Sequence, residues 1–174
     1  MTDNSVIERH IMSVLVDNEP GVLARVIGLF SGRGYNIESL TVSETDPERA
    51  LSRISIVTSG TPMVIEQIKA QLARLVPIHA VRDLTEHDVA IERELALVKI
   101  INHGEERIEA LRIADTFRAR TLDSTLDSFV FEVTGNSSKV DAFVNLMRSL
   151  GSVEVARTGV SAISRGNCID LEAK

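Results

Sequence analysis

One junction near the N-terminus constrains the fold of this chain more than any other stretch. The six-residue run Ile11–Val16, which is mostly branched and apolar, has the length of a buried strand. The polar turn Asp17-Asn18-Glu19-Pro20-Gly21 follows directly. The apolar residues after the turn recur with the spacing of one helix face, and they are Val22, Leu23, Val26, Ile27 and Phe30. The sequence therefore predicts a strand that passes through a sharp turn into an amphipathic helix.

The first turn of this helix has features of an anion-binding site. Pro20 fixes φ near a value suited to a helix start, and Gly21 adds no Cβ. The free N–H groups of Gly21, Val22 and Leu23 then lie at the positive end of the helix dipole. Asn18 adds a side-chain donor and an acceptor. Two interpretations stay open: an ordinary turn and cap, which residues of this kind commonly form, and a site for a carboxylate or phosphate.

Composition restricts the classes of function. The 174 residues suffice for one domain or two small ones. A net charge of -6 without a basic cluster argues against a nucleic-acid or acidic-membrane surface. The single cysteine, Cys168, rules out an intrachain disulfide. Met1–His10 lacks an apolar signal core, and no apolar run approaches the ~18 residues of a spanning helix. We expect a cytoplasmic protein that binds neither nucleic acid nor membrane.

Apolar periodicity predicts the same order of elements, βαββαβ, in each half of the chain. The predicted elements of the first half are a strand Ile11–Val16, a helix from Val22, strands Ile37–Glu44 and Leu51–Ser59, a helix from Pro62 and a strand Ile78–Leu84. Those of the second half are a strand Glu94–Asn102, a helix after Gly104, strands Arg120–Asp123 and Ser128–Thr134, a helix and a closing strand Val153–Ala162. Ser138-Lys139-Val140-Asp141 resembles a capping box and predicts the start of that last helix.

No catalytic or metal-binding constellation is evident, so we predict no catalytic residue and no metal ligand. The four histidines, which are His10, His79, His87 and His103, lack the close spacing of a metal site. His87 and Asp88 fall in a polar stretch and are interpreted as solvated surface. No serine lies in a Gly-x-Ser-x-Gly motif, and Cys168 has no neighbourhood that argues for a nucleophile. Ser31-Gly32-Arg33-Gly34 lacks nucleotide-binding spacing and is better explained as a helix C-cap.

A family resemblance runs through nearly the whole chain. It is carried by Leu15–Val26 and by the continuation to Leu40, and shorter matching segments are Leu51–Arg53, Arg93–Leu95, Leu97–Lys99, Phe117–Ala119 and Ser164–Gly166. These residues closely resemble the small, regulatory subunit of acetohydroxyacid synthase, also called acetolactate synthase. In that family the N-terminal half is an ACT domain, a ferredoxin-like unit that senses amino acids.

The resemblance implies an α+β chain with two ferredoxin-like βαββαβ domains. The expected bounds are an ACT domain over 8–84, a linker over 85–92, a C-terminal ferredoxin-like (ACT-like) domain over 93–164 and a tail over 165–174. The implied function is that of a non-catalytic regulatory subunit in branched-chain amino acid biosynthesis. Such a subunit binds valine, with isoleucine or leucine as alternatives, activates a separate catalytic large subunit and confers feedback inhibition. Thiamine diphosphate, Mg²⁺ and FAD are expected in that large subunit, and no cofactor is expected in this chain.

The resemblance also implies where valine binds. The site is expected between the N-terminal domains of a homodimer, with Asn36 and Ile37 supplied by one subunit. The other subunit supplies Asn18, Gly21, Val22 and Leu23. Some relatives have a serine where this chain has Ala24, which removes a hydroxyl near the site. An ACT-type amino-acid sensor that regulates a different enzyme is the alternative function.

Overall fold

The computed structural model describes residues 6–86 and 90–166. The first group of elements is β1 (Glu8–Asp17), α1 (Val22–Arg33), β2 (Ser39–Asp46), β3 (Leu51–Gly60), α2 (Pro62–Leu72) and β4 (Ile78–Asp83). The second group is β5 (Ala90–Ile101), α3 (Gly104–Thr116), β6 (Arg120–Ser124), β7 (Ser128–Gly135), α4 (Ser137–Arg148), β8 (Ser152–Arg157) and the short β9 (Ser161–Ser164), which pairs with β5. The expected α+β class with two ferredoxin-like βαββαβ arrangements is confirmed.

These elements form two compact units, and the first of them is built from two separate segments of the chain. Among the described residues, the first unit contains those up to Ile91 together with residues 160–166, and the second contains Glu92–Gly159. The single closing strand predicted over 153–162 is wrong, because the chain leaves the strand conformation between β8 and β9. Gly159 has a φ of 85° there, which strand geometry does not allow. His87, Asp88 and Cys168 lie outside the described residues.

The first unit has an antiparallel sheet in the order β2-β3-β1-β4. Its helices cover one face of this sheet. The fully buried side chains between them include Met12, Val14, Val26, Phe30, Ile54, Ile56, Ile65, Ile68 and Leu72. The helix face predicted for α1 is narrower than expected, since Leu23 and Ile27 remain 37% and 38% exposed. Only Val22, Val26 and Phe30 of that predicted face are buried.

The opposite face of the same sheet is also covered, which explains why β1 is apolar at consecutive positions on both sides of Ser13. Ile11–Val16 is buried at every position, as expected for a buried strand. Ile11 and Val57 pack with Leu84 and with the C-terminal residues Val160 and Ala162. Alternate residues of β1 therefore enter two different cores, and a strand buried on both faces needs apolar residues at consecutive positions.

The second unit has an antiparallel sheet in the order β6-β7-β5-β8, with α3 and α4 on one face. Its core contains three buried aromatic rings. The centroid of the Phe131 ring lies 6.1 Å from that of Phe143 and 5.3 Å from that of Phe129. Helix α4 begins at Ser137, and Asn136 is its cap because Asn136 accepts a hydrogen bond from the Lys139 N–H. The helix start predicted at Ser138 is thus wrong by two residues, and the observed cap at Asn136 is a single side-chain hydrogen bond. Within residues 6–86 and 90–166, no helix is both long and apolar enough to cross a lipid bilayer.

Candidate functional site

The chain turns sharply between β1 and α1. The Val22 N–H points to the Glu19 carbonyl oxygen at 3.4 Å, which closes a four-residue turn. Gly21, at the third position, has φ 88° and ψ -8°, the values of a type II turn, and such turns favour proline before the glycine. Pro20 therefore lies in the turn, two residues before α1, and not at the first helical position that the sequence predicted. The positive φ explains the requirement for glycine at this point.

The N-terminus of α1 is open to an approaching group. Helical hydrogen bonding begins with the Arg25 N–H, which donates to the Gly21 carbonyl oxygen at 3.1 Å. Within the described part of the chain, the N–H groups of Leu23 and Ala24 have no backbone acceptor, and no side chain caps the helix. A Cβ placed on Gly21 would meet no atom within 4 Å. Gly21, like Leu23 and Ala24, has no backbone acceptor for its N–H in the described chain, whereas the Val22 N–H, which we predicted to be free, is directed back into the turn.

Two backbone hydrogen bonds to neighbouring connections of the chain fix the residues just before this turn. The Asp17 N–H donates to the Pro77 carbonyl oxygen at 2.9 Å, and the Asn18 N–H donates to the Ala50 carbonyl oxygen at 2.7 Å. The Asn18 side chain is oriented as well, because its Nδ2 donates to Oε1 of Glu44 at 2.9 Å. Glu44 was not singled out from the sequence, since a lone carboxylate on a strand gives no signal of its neighbour 26 residues away. Asn18 is therefore held beside the open helix end.

Asn36 and Ile37 lie in the connection between α1 and β2. Asn36 is exposed, and its backbone carbonyl oxygen accepts a hydrogen bond from Thr58 Oγ1 at 2.7 Å. Ile37 is half-buried against the core of the first unit. In the described part of a single chain, no hydrogen bond joins either residue to Asn18 or Gly21. Their membership of the same site therefore stays a prediction.

Each of the described histidines lies beside at least one carboxylate, and His10 also has Glu8 Oε2 at 3.8 Å from its Nε2 atom. The Nδ1 atom of His10 lies 2.6 Å from Asp83 Oδ2, and the Nδ1 atom of His103 lies 3.3 Å from Asp127 Oδ1. Among residues 6–86 and 90–166, no group of three or more His, Cys, Asp or Glu side chains is arranged to hold a metal ion. These pairs are structural contacts, and the open end of α1 remains the strongest candidate for ligand binding.

Comparison with known proteins places this geometry in a family. A family model described as the AHAS small subunit-like ACT domain matches residues 12–80, and one described as the small subunit of acetolactate synthase matches residues 93–166. A probable acetolactate synthase small subunit of Archaeoglobus fulgidus is 49% identical, over 91% of this chain and 98% of its own. The acetolactate synthase isozyme 3 small subunit of Escherichia coli is 48% identical, over 92% of this chain and 98% of its own.

A solved structure agrees with these sequence matches. The crystal structure of the acetolactate synthase small subunit from Thermotoga maritima superimposes with a TM-score of 0.81 at 38% identity. The superposition covers 92% of this chain and 99% of that one. The resemblance recognised in the sequence is therefore confirmed over both halves. This chain belongs to the family of acetolactate synthase small subunits.

Proposed function

We propose that this chain is the regulatory subunit of acetohydroxyacid synthase and that it binds valine at the open N-terminus of α1. On this proposal it activates the catalytic large subunit and makes that subunit subject to feedback inhibition. The chemistry, with thiamine diphosphate, Mg²⁺ and FAD, belongs to the large subunit. The observation that carries the proposal is the exposed turn at Gly21, which presents unpaired N–H donors in a chain of the small-subunit family.

An α-amino acid matches the chemistry at this turn. Its carboxylate fits the N–H groups of Leu23 and Ala24 at the positive end of the helix dipole. Its ammonium group needs oxygen acceptors, and Asn18 and Glu44 place oxygen atoms beside the turn. Its aliphatic side chain fits the exposed apolar surface that begins at Leu23. Isoleucine and leucine satisfy the same requirements, so they are alternative ligands.

A homodimer completes the proposed site. Asn36 and Ile37 lead directly into β2, which is an edge strand of its sheet in the described chain. An edge strand carries unpaired backbone groups that a second copy can meet. The exposed apolar residues Ile27 and Val42, at 38% and 45%, lie on the two elements that Asn36 and Ile37 connect. A second copy at this edge would bring its own Asn36 and Ile37 toward the neighbouring helix end.

The proposed site should select among amino acids by size and charge. Valine has two more carbons than alanine, and burying each is worth about 0.8 kcal/mol, so valine should bind roughly tenfold more tightly. Aspartate and lysine should bind much more weakly, because a charged side chain buried against apolar surface without a partner is costly.

Reconstitution with the catalytic large subunit tests the proposal. At saturating cofactor, the chain alone should form no acetolactate from pyruvate, and adding it should raise the activity of the large subunit. Valine should then inhibit the complex more strongly than it inhibits the large subunit alone. Acetolactate formation by this chain alone, or equal valine sensitivity without it, would overturn the proposal. A pull-down that recovers a different enzyme would favour the alternative, an ACT-type sensor of another activity.

A further inference from the structure

Two side chains of β2 hold the segment at which the chain returns from the second unit. The Ser39 hydroxyl oxygen accepts a hydrogen bond from the Val160 N–H at 2.7 Å. Thr41 Oγ1 donates to the Val160 carbonyl oxygen at 3.0 Å. Both backbone polar groups of Val160 are therefore bonded to β2. Its side chain is only 3% exposed, so apolar packing fixes the same residue.

The residue two positions earlier is fixed just as firmly inside the second unit. The Thr158 N–H donates to the Leu95 carbonyl oxygen at 3.0 Å, and the Leu95 N–H donates to Thr158 Oγ1 at 3.1 Å. The boundary between the compact units falls after Gly159, which has a φ of 85°. One residue, Gly159, thus separates Thr158, which is bonded to β5, from Val160, which is bonded to β2.

The β2 anchor lies close in sequence to the proposed effector residues. Ser39 follows Ile37 by two positions, and Ile37 and Asn36 form the connection that enters β2. Ser39 and Thr41, which hold Val160, are therefore separated from the proposed effector residues by only a few residues of the chain. Coupling of this kind requires that ligand binding and the position of Val160 influence each other.

We propose that Ser39 and Thr41 are the coupling residues that transmit effector binding from β2, through Val160 and Gly159, to the second unit. The inference rests on the proposed function, because it assigns a route to the regulation proposed above. Ser39 and Thr41 act by positioning the Val160 backbone. They are distinct from the residues proposed to contact the ligand.

Variants of the two hydroxyl residues test the route. Ser39→Ala removes the acceptor for the Val160 N–H, and Thr41→Val removes the donor to its carbonyl oxygen while keeping the side-chain shape. Ser43→Ala is the matched control, since Ser43 is exposed on the same strand and, among the described residues, forms no side-chain hydrogen bond. Valine affinity by calorimetry should stay within about threefold in all three variants. At saturating valine, the reconstituted enzyme should lose most of its inhibition in the double variant, because bound valine is then uncoupled from the large subunit, and should be inhibited as in the wild type in the control.

Hydrogen exchange in the wild-type chain supplies a second test that needs no variant. The Val160 amide should exchange slowly, and adding valine should change its exchange rate if this anchor responds to the ligand. Equal valine inhibition in the double variant and the control, or a Val160 exchange rate unaffected by bound valine, would overturn the inference alone. A wild-type chain that neither binds valine nor alters the large subunit would remove the proposed function and this inference together.

Discussion

The side chain of His79 contacts the last residue of β1, with its Nε2 atom 2.6 Å from Oδ1 of Asp17. Asp17 is the residue before Asn18, so this contact and the hydrogen bond from the Asp17 N–H to Pro77 hold the entrance to the turn on the side of β4. The two side chains are 31% and 36% exposed, and the contact is therefore only partly shielded from solvent.

The first prediction concerns this contact. His79→Ala should lower the free energy of unfolding by less than about 1 kcal/mol, because a partly exposed side-chain contact contributes little and the backbone bond to Pro77 remains. His103→Ala is the control, since His103 and Asp127 are 71% and 72% exposed at 3.3 Å, and it should have no measurable effect. Urea denaturation measures both. A loss of several kcal/mol for His79→Ala would contradict the prediction that this contact contributes little to stability.

The second prediction concerns Gly21. Gly21→Asp places a carboxylate at the position proposed for the ligand carboxylate, so valine binding should be lost. Gly21→Asn is the matched control, because asparagine has nearly the same shape, carries no charge and tolerates positive φ better than most residues. Both variants should fold, with a cost of about 1 kcal/mol from the φ of 88°, since the space beside Gly21 is open.

Calorimetry with valine distinguishes the possible explanations for Gly21. Loss of binding in the aspartate variant with substantial binding in the asparagine variant supports recognition of an anion at the helix end. An equal loss in both variants would show that any side chain blocks the turn. Unchanged affinity in Gly21→Asp would place the ligand elsewhere.

The third prediction concerns the cap of α4. Asn136→Ala should destabilise the second unit by about 1 kcal/mol, the usual effect of removing an N-cap side chain. The Asn136 Oδ1 atom accepts the Lys139 N–H at 3.0 Å, and alanine cannot replace that bond. Asn145→Ala is the same substitution in the exposed interior of the same helix, and it should be neutral or slightly stabilising. Urea denaturation of both variants should show effects of different sign or size, and equal effects would argue against the cap.

The fourth prediction concerns pH. Burial of Lys69 alone would lower its pKa, but hydrogen bonds and charge attraction from Glu86 and Glu66 together raise the pKa above its ordinary value of 10.5. A raised pKa in the folded state means that the stabilisation is fully present below pH 10.5 and is lost as pH rises through the folded pKa. The free energy of unfolding should therefore decline less steeply between pH 10 and 12 in Lys69→Met than in the wild type. Parallel declines in urea denaturation would contradict this.

The local part of the candidate site could be predicted from sequence. The junction is identified by a mostly apolar run of six residues, a turn with Pro20 and Gly21, and a helical apolar repeat, because each signal lies within a few residues. Even there, proline was assigned to the helix instead of the turn, since Pro fits the first helical position and the second position of a type II turn equally well.

The features that the sequence did not reveal depend on contacts between distant residues. The exposure of Leu23 and Ile27 follows from how narrow a stripe of α1 the sheet covers, and apolar spacing alone does not report that width. The placement of Val160 in the first unit involves hydrogen bonds to Ser39 and Thr41, which lie about 120 residues earlier. Periodicity carries no information about partners at that separation.

The packing of Val160 and Ala162 onto Ile11, Val57 and Leu84 has a consequence for how the protein is made. A ribosome synthesises the N-terminal sheet early but releases the residues that cover its second face only after nearly the whole chain has been translated. Until then, that face presents an apolar surface to the surroundings of the nascent chain. The first unit therefore reaches its final form after the second unit has been synthesised, although its own strands come first in the sequence.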